Sequence, residues 1–511
     1  MYFTQALHRN MQQRPAATAL IDGDVELSWS EFVDEVSRIA GGLQTHGVQR
    51  GDRIAVLSEN SYRVIEHALA CAWIGAVNTP VNFRWSAAEM AKQIHETDAG
   101  ILFVSDAFVE QARDLRTACP SLHTLVHLGS GDTPEGFESI RTWVDTYEPI
   151  NDVRMGSNEL ALLLYTGGTT GEPKGVMLSS ANILVSSLGS NSINGLPNLP
   201  ERTLITSPMF HLAALGGVFT EISLGSTVVT APAFVPEEVV ALIERHHITS
   251  AKLVPTMIGW LLDCLESGDY NLSSLRRISY GAESITPTLL KRLHSHFPDI
   301  ELNQRYGMTE LGPNATALRP EDHRNTSQPG LLASVGRACP HAEIRVVDAD
   351  DRPLPVGEVG EVVVRGDNVM LGYWKRPEET AEVLRGGWMH TGDAGRLDED
   401  GYLFLADRIK DMIITGGENV YSAEVEKVLA AHPAIAQIAV IGVPDSIYGE
   451  RVHAVVVPRP GTSVELEELR EFAGADIARY KLPRSLELLA EMPLSPVGKI
   501  LKRSLRDSYR N

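Results

Sequence analysis

Residues 165–175 read Tyr-Thr-Gly-Gly-Thr-Thr-Gly-Glu-Pro-Lys-Gly. Glycines let backbone amides close on a phosphate, hydroxyls donate to its oxygens, and a lysine adds charge. An apolar run, Leu160 to Leu164, precedes the loop, and Val176 to Leu178 follows it. The loop therefore joins two strands. The rival phosphate motif, G-x-x-x-x-G-K-[ST], needs a helix to begin at its lysine. Here Lys174 follows Pro173, Gly175 comes next, and the chain continues as a strand.

The loop resembles the phosphate-binding signature of the adenylate-forming superfamily: acyl-CoA synthetases, peptide-synthetase adenylation domains and beetle luciferases. Gly167 stands where the commoner form has serine; Thr166, Gly168, Thr169, Thr170, Gly171 and Lys174 keep the pattern. Further motifs follow in the family's order. Tyr280-Gly281-Ala282-Glu283-Ser284 resembles its adenine-contacting segment. Tyr306-Gly307-Met308-Thr309-Glu310 matches Y-G-x-T-E. The resemblance implies that Tyr306 stacks on adenine, Thr309 touches the α-phosphate and Glu310 helps hold Mg²⁺. An aromatic face suits a purine, and a hard carboxylate oxygen suits Mg²⁺. Thr391-Gly392-Asp393 and Asp407-Arg408-Ile409-Lys410-Asp411 come next. They imply ribose contacts for Asp393, ribose and phosphate support for Arg408, and a hinge at Lys410. Pro496-Val497-Gly498-Lys499-Ile500 matches the terminal Gly-Lys, which implies that Lys499 meets the acyl carboxylate and the α-phosphate.

The implied activity is an ATP-dependent, AMP-forming acid–CoA ligase using ATP, Mg²⁺ and coenzyme A. Acid and ATP give acyl-AMP and pyrophosphate; a thiol then expels AMP. Two anions must meet in the first step, so Mg²⁺ and lysines are needed to stabilise the transition state. In Pro208-Met209-Phe210-His211, His211 stands where amino-acid-adenylating domains have an aspartate, so an amino acid is not expected. The acyl pocket is expected among His211, Ala213, Ala214, Val254, Met257, Gly281, Gly307, Met308 and Gly312, with small residues leaving room. A medium- or long-chain fatty acid is the expected substrate. The alternatives are a benzoate- or cinnamate-type acid, or loading of a carrier protein. For CoA, the resemblance points to Arg84 in Asn82-Phe83-Arg84, Gly416-Gly417-Glu418 along the pantetheine tunnel, Tyr448 and Lys481.

Those residues need a scaffold. Short apolar runs (Arg53 to Leu57, Val77 to Pro80, Ile101 to Ser105, Thr227 to Thr230, Thr249 to Val254, Arg277 to Tyr280) alternate with helical segments such as Ser61 to Ile74. Ser86 is a candidate helix cap. Such alternation predicts α/β architecture with parallel or mixed sheets covered by helices. From about residue 340 the texture turns β-rich, with a hairpin expected over Gly401 to Ala406. A helix from Ser422, strands at Ala436–Val443 and Val452–Pro458, and a helix from Glu465 predict a small α+β domain. The expected division is 1–409, an adenylate-forming domain, and 410–511, a mobile C-terminal domain.

Length and charge set bounds. At roughly 150 residues per domain, 511 residues allow three or four modules, which the resemblance redistributes into one large body and a cap. The formal charge of −21 argues against a nucleic-acid partner. The four cysteines lack metal-ligand spacing and suit a reducing cytoplasm. No apolar run approaches the roughly 18 residues of a membrane span, and no secretory or peroxisomal signal is read. Small-molecule acid and CoA are the expected partners, with a homodimer left open.

Overall fold

A computed structural model describes residues 2–509 apart from 167–172, 195–200, 269, 282–284, 326, 409–410, 416–417, 446, 475 and 495–499, with backbone alone at 194, 407–408 and 418–419. The expected strands on either side of the glycine loop are Leu160–Thr166 (β1) and Lys174–Ser179 (β2). They pair antiparallel, with Thr166 opposite Lys174, so the loop closes a hairpin and no helix starts at the lysine. Helix Ser180–Asn194 (α1) follows directly. β1 continues into a run of parallel strands, Val77–Pro80, Arg53–Leu57, Ile101–Val104 and Thr124–His127, with Glu138–Ser139 at the edge. Ser86 caps the helix Ala87–Thr97 in a capping box with Glu89, satisfying orphan amides at both ends of the pair.

A second, nine-stranded sheet has at its centre Arg202–Ile205 (β3), Ser250–Leu253 (β4), Arg277–Gly281 (β5) and Glu301–Tyr306 (β6), all parallel. Helix Leu212–Leu224 (α2) connects β3 back to the sheet. One core fills the space between the two sheets. It gathers Ile54, Val56, Leu162 and Leu164 from the first, Leu20, Ile205 and Val228 from the second, and Trp29, Phe32, Ile183 and Leu215 from helices. Separate clusters cover the outer faces, around Ile243, Leu261, Ile278 and Leu293 on one and Ile94, Leu102 and Leu115 on the other. The result is a layered α/β body in which parallel strands carry apolar residues on both faces. Gly372–Tyr373 (β7) adds a last strand beside β2.

The chain divides into two compact units, 1–344 with 364–389, and 345–363 with 390–511. Most of the latter's first part is a four-stranded sheet of Glu343–Val347, Gly360–Arg365, Met389–Leu397 (β8) and Leu403–Arg408 (β9). The β8–β9 turn is Asp398 to Tyr402, and Thr391-Gly392-Asp393 lies within the strand that precedes it. The remainder is α+β. A long hairpin, Ile435–Asp445 with Gly449–Pro458, packs against helices Ser422–Leu429 (α3) and Leu466–Ala473 through Val425, Leu429, Val440 and Leu469. The expected α/β body with a smaller β-rich and α+β part is therefore the observed fold. Among the described residues, no helix is long and apolar enough to cross a membrane.

Candidate functional site

Lys174, the one lysine of the glycine loop, begins β2. Its ammonium pairs with Glu379 and sits 5.1 Å from the centre of the Tyr373 ring. Tyr373 donates its phenolic hydrogen to Glu310 Oε1 at 2.9 Å. The loop's cation, an aromatic ring and the carboxylate of the Y-G-x-T-E turn are thus joined in one chain of contacts. Glu310 is buried, at 6% exposure. Burial, reinforced by the Glu310 charge, pushes the Tyr373 phenol well above its ordinary range, so it remains a donor throughout physiological pH.

The backbone explains why these groups meet. β7 pairs with β2, and Trp374 N–H donates to Gly175 O at 2.7 Å. Met370 N–H donates to Glu310 O at 2.9 Å. Asn368 Nδ2 donates to Leu311 O, and Asn182 Nδ2 donates to both Asp367 O and Val369 O at 2.7 Å. The 367–374 segment therefore ties the carboxylate turn to the loop's returning strand. Gly312 closes that turn at φ +64°, and an added Cβ would lie 2.7 Å from Asn368 O and 3.1 Å from Asn182 O. Only glycine meets both demands.

Tyr306 ends β6, half-buried, beside exposed Gly307 and half-buried Met308 and Thr309. A Cβ on Gly307 would meet Pro313 O at 2.0 Å, and one on Gly281 would meet Arg305 O at 2.6 Å. Backbone packing, rather than space for a substrate, explains three of the glycines expected to leave room. Among the acyl-pocket candidates, Ala214 is buried and Met308 half-buried in the core between the sheets, while Met257 packs in the cluster on the outer face of the second sheet. Ala213 is exposed, and Val254 caps the helix Pro255–Ser267. His211 caps α2 with its ring 4.3 Å from Phe210, which meets Phe83 edge-on at 4.9 Å. The Asn82-Phe83-Arg84 segment, with Arg84 exposed, thus lies against the His211 segment. Buried Asn60 fixes that segment by donating to Ser207 O and accepting from Met209 N–H.

In the second unit, Asp393 is buried opposite Arg408 in the β8–β9 pair. Its N–H donates to Thr391 Oγ1, and Gly392 N–H donates to Glu361 Oε1. Lys481 is held by Glu424, with Nζ 2.7 and 2.6 Å from its two carboxylate oxygens. Tyr448 is 41% exposed, and the Arg484 guanidinium lies 3.6 Å over its ring. Gly167, Gly168, Thr169, Thr170, Gly171, Ala282, Glu283, Ser284, Lys410, Gly416, Gly417 and Lys499 lie outside the described residues, as do the side chains of Arg408 and Glu418. Sequence reasoning missed Tyr373, Glu379 and Asn368. The only local signal was Gly-Tyr ahead of a polar stretch, and their partners are set by strand pairing far along the chain.

A glycine- and threonine-rich hairpin whose lysine is linked through one tyrosine to the carboxylate of an aromatic turn fits an adenylate-forming enzyme. The chain belongs to the AMP-binding enzyme family: its family model matches residues 7–374, and that of the AMP-binding enzyme C-terminal domain matches 424–499. It is 37% identical over 507 residues to a fatty acid–[acyl-carrier-protein] ligase of Streptomyces coeruleorubidus, covering 98% of this chain and 94% of the relative. It is also 37% identical to a feruloyl-CoA synthase of an Amycolatopsis species, over 98% of both chains. Among solved structures, the o-succinylbenzoate CoA synthetase of Bacillus subtilis, bound to its acyl-adenylate intermediate, superposes with a TM-score of 0.86 at 30% identity, over 98% of each chain. The protein is an acid–thiol ligase of the AMP-forming class.

Proposed function

We propose that this enzyme joins a carboxylic acid to coenzyme A in two steps at one nucleotide site. A carboxylate oxygen attacks the α-phosphorus of ATP, and the bond to the β-phosphate breaks to release pyrophosphate. The CoA sulfur then attacks the acyl carbon, the carbon–oxygen bond to AMP breaks, and the thiol proton leaves to solvent. The observation that carries this reading is the Lys174–Tyr373–Glu310 chain of contacts. It places a cation at the base of the phosphate loop and a buried carboxylate beside Thr309.

Mg²⁺ keeps several waters and needs only one or two protein carboxylates beside substrate phosphates. A single buried carboxylate oriented by a phenol fits that demand, and no group of three or more His, Cys, Asp or Glu suited to a metal occurs among the described residues. Glu310 would hold the ion, which when bound would neutralise charge building up on the phosphates. Tyr306 offers adenine a face, Thr309 a hydroxyl to the α-phosphate, and Asp393 an acceptor to ribose. Lys499 serves the first step and the Gly416–Glu418 segment the second, with Lys410 as pivot between them.

The test supplies acid, ATP and Mg²⁺ with either CoA or holo-carrier protein, across fatty acids of several lengths, benzoates and cinnamates. Pyrophosphate release followed by an acyl-CoA thioester is expected. Thioester on the carrier alone would move the protein to the carrier-loading class, and no pyrophosphate with any acid would end the ligase reading. Fatty and aromatic acids are both compatible with the apolar residues at the N-terminal end of α2. Of the similar proteins named above, one is named for a fatty acid and two for aromatic acids.

A further inference from the structure

We infer that the deep end of the acyl pocket is a polar floor that selects acids carrying a hydrogen-bonding group, foremost a hydroxyl, at the end remote from the reacting carboxylate. This inference rests on the ligase reading above and concerns which acid the same site takes.

Ligands of parallel sheets bind at the carboxyl ends of the strands. α2 starts at that edge of the second sheet and runs down its inner face. Beneath α2 lies β4, paired on both sides and therefore interior. Its third residue is a lysine. Lys252 stands opposite Ile205 of β3, which belongs to the core between the sheets, so the lysine points to that same inner face. Its ammonium donates to Gly217 O at 3.2 Å and pairs with Glu221 Oε1 at 3.0 Å, both on α2. Gly217 lets the lysine lie against the helix, since a Cβ there would come 2.9 Å from Lys252 Cδ.

A charged pair inside a two-sheet core is costly to bury. This pair is not sealed. The Lys252 side chain is 22% exposed and that of Glu221 10%, although strands flank the lysine on both sides and a helix covers it. Such exposure in the interior means that the pair borders an open cavity. Along the same face, Ser279 of β5 stands opposite Lys252, and Asn303 of β6 stands opposite Ser279. Asn303 is fully buried, whereas Ser279 is half-buried, so the accessible polar part of this face consists of Lys252, Glu221 and Ser279.

The floor is tied to the nucleotide site by the same helix. Gly216 packs against Pro313, which follows the Glu310 turn. At a rise of 1.5 Å per residue, Gly217 and Glu221 lie about 8 and about 14 Å below the start of α2. An alkyl tail reaching that depth would cover the accessible parts of the ammonium and the carboxylate without returning a hydrogen bond. A distal hydroxyl would accept from Lys252 and donate to Glu221 or Ser279 Oγ. Sites built to bond a substrate hydroxyl reject the analogue that lacks it far more strongly than apolar pockets reject an extra methylene.

The experiment measures kcat/KM by pyrophosphate release for two matched pairs, 4-hydroxycinnamic against cinnamic acid and 8-hydroxyoctanoic against octanoic acid. In the wild type, the hydroxylated member of at least one pair is expected to win by tenfold or more. The double variant Lys252→Met with Glu221→Leu removes both charges at similar volume and should bring the ratio below about twofold, with the change carried mainly by KM. Ser279→Ala tests the floor without touching the ion pair, and should cut the ratio at least threefold while the protein remains as thermally stable as the wild type. The inference fails if the unsubstituted acid wins in both pairs, or if Ser279→Ala and a folded double variant keep the wild-type ratio. Absence of pyrophosphate with every acid would overturn the ligase reading itself, an outcome separate from loss of the preference.

Discussion

Replacing Tyr373 by phenylalanine tests the centre of the site with one atom. The ring that lies 5.1 Å from Lys174 stays, as does its apolar packing; only the hydroxyl that donates to Glu310 at 2.9 Å is lost. A hydrogen bond to a charged, buried acceptor is worth about 1.5–3 kcal/mol. If that bond fixes the carboxylate in the geometry adenylation needs, the first half-reaction slows by about tenfold to hundredfold, since each 1.36 kcal/mol is a factor of ten. Tyr373 acts through Glu310 and is a positioning residue, so rate alone does not test it. Pyrophosphate release should be followed against Mg²⁺ concentration: the variant is expected to need more Mg²⁺ for half-maximal rate. Thioester formation from supplied acyl-AMP should be nearly unchanged. An adenylation rate within twofold of wild type, with an unshifted Mg²⁺ dependence, would refute the role given to this contact.

Three other outcomes follow from the same geometry. Lys174→Met is expected to raise KM for ATP severalfold with a smaller change in kcat, because it removes a cation at the base of the loop; steady-state kinetics at fixed ionic strength decide it. Gly312→Ala forces a Cβ onto a φ of +64° and within 2.7 Å of Asn368 O, so a loss of at least about 2 kcal/mol is expected in urea unfolding, and a loss under 0.5 would contradict it. His453 is buried between Ser485 Oγ and the Tyr509 hydroxyl, at 2.7 and 2.8 Å, and burial lowers its pKa to about 4. The unfolded imidazole takes up a proton near pH 6.5 and the folded one does not, so stability contributed by the neutral ring falls as pH drops from about 6.5 to about 4, by at most about 3 kcal/mol. His453→Gln should flatten that dependence in thermal melts of the full chain.

Local signals in the sequence carried some of this fold and not the rest. The strand Arg53–Leu57, the helix to Ile74 and the Ser86 cap could be read directly because period and capping chemistry are properties of neighbours in sequence. The same holds for Lys174, which a proline before and a strand-like run after it placed on a hairpin. What could not be read was supplied by distant pairing. Tyr373 belongs to a two-residue strand with no periodicity, and its pairing with Val176 together with the Met370 and Asn368 bonds to the carboxylate turn brings it to Glu310. Gly281, Gly307 and Gly312 looked like space for a substrate; a Cβ on each would meet a backbone carbonyl, from the neighbouring strand at Gly281, the same turn at Gly307 and the 367–374 segment at Gly312. Lys481 is expected among the CoA contacts from its motif alone, and nothing in the sequence signals that Glu424 engages it with both oxygens. A side chain's type is visible in sequence, but the partner that occupies it is not.

The acidity of the chain bears on the same distinction. A net charge of −21 would oppose an anionic ligand if every acid acted at the site. At physiological ionic strength charges are screened beyond about 8 Å, so the field at the nucleotide is set by a handful of neighbours. Of the acids near the phosphate loop, Glu379 is paired with Lys174 and Glu310 receives the Tyr373 hydrogen. The charge of Glu379 is thus balanced within the protein before a nucleotide arrives, and that of Glu310 is oriented by a neutral donor for the ion it would hold. Residues 479–511 carry eight basic and three acidic side chains, Lys499 among them, although the chain as a whole has the opposite bias. An acidic surface keeps such a protein soluble, and it leaves the affinity for ATP to contacts that sequence composition does not measure.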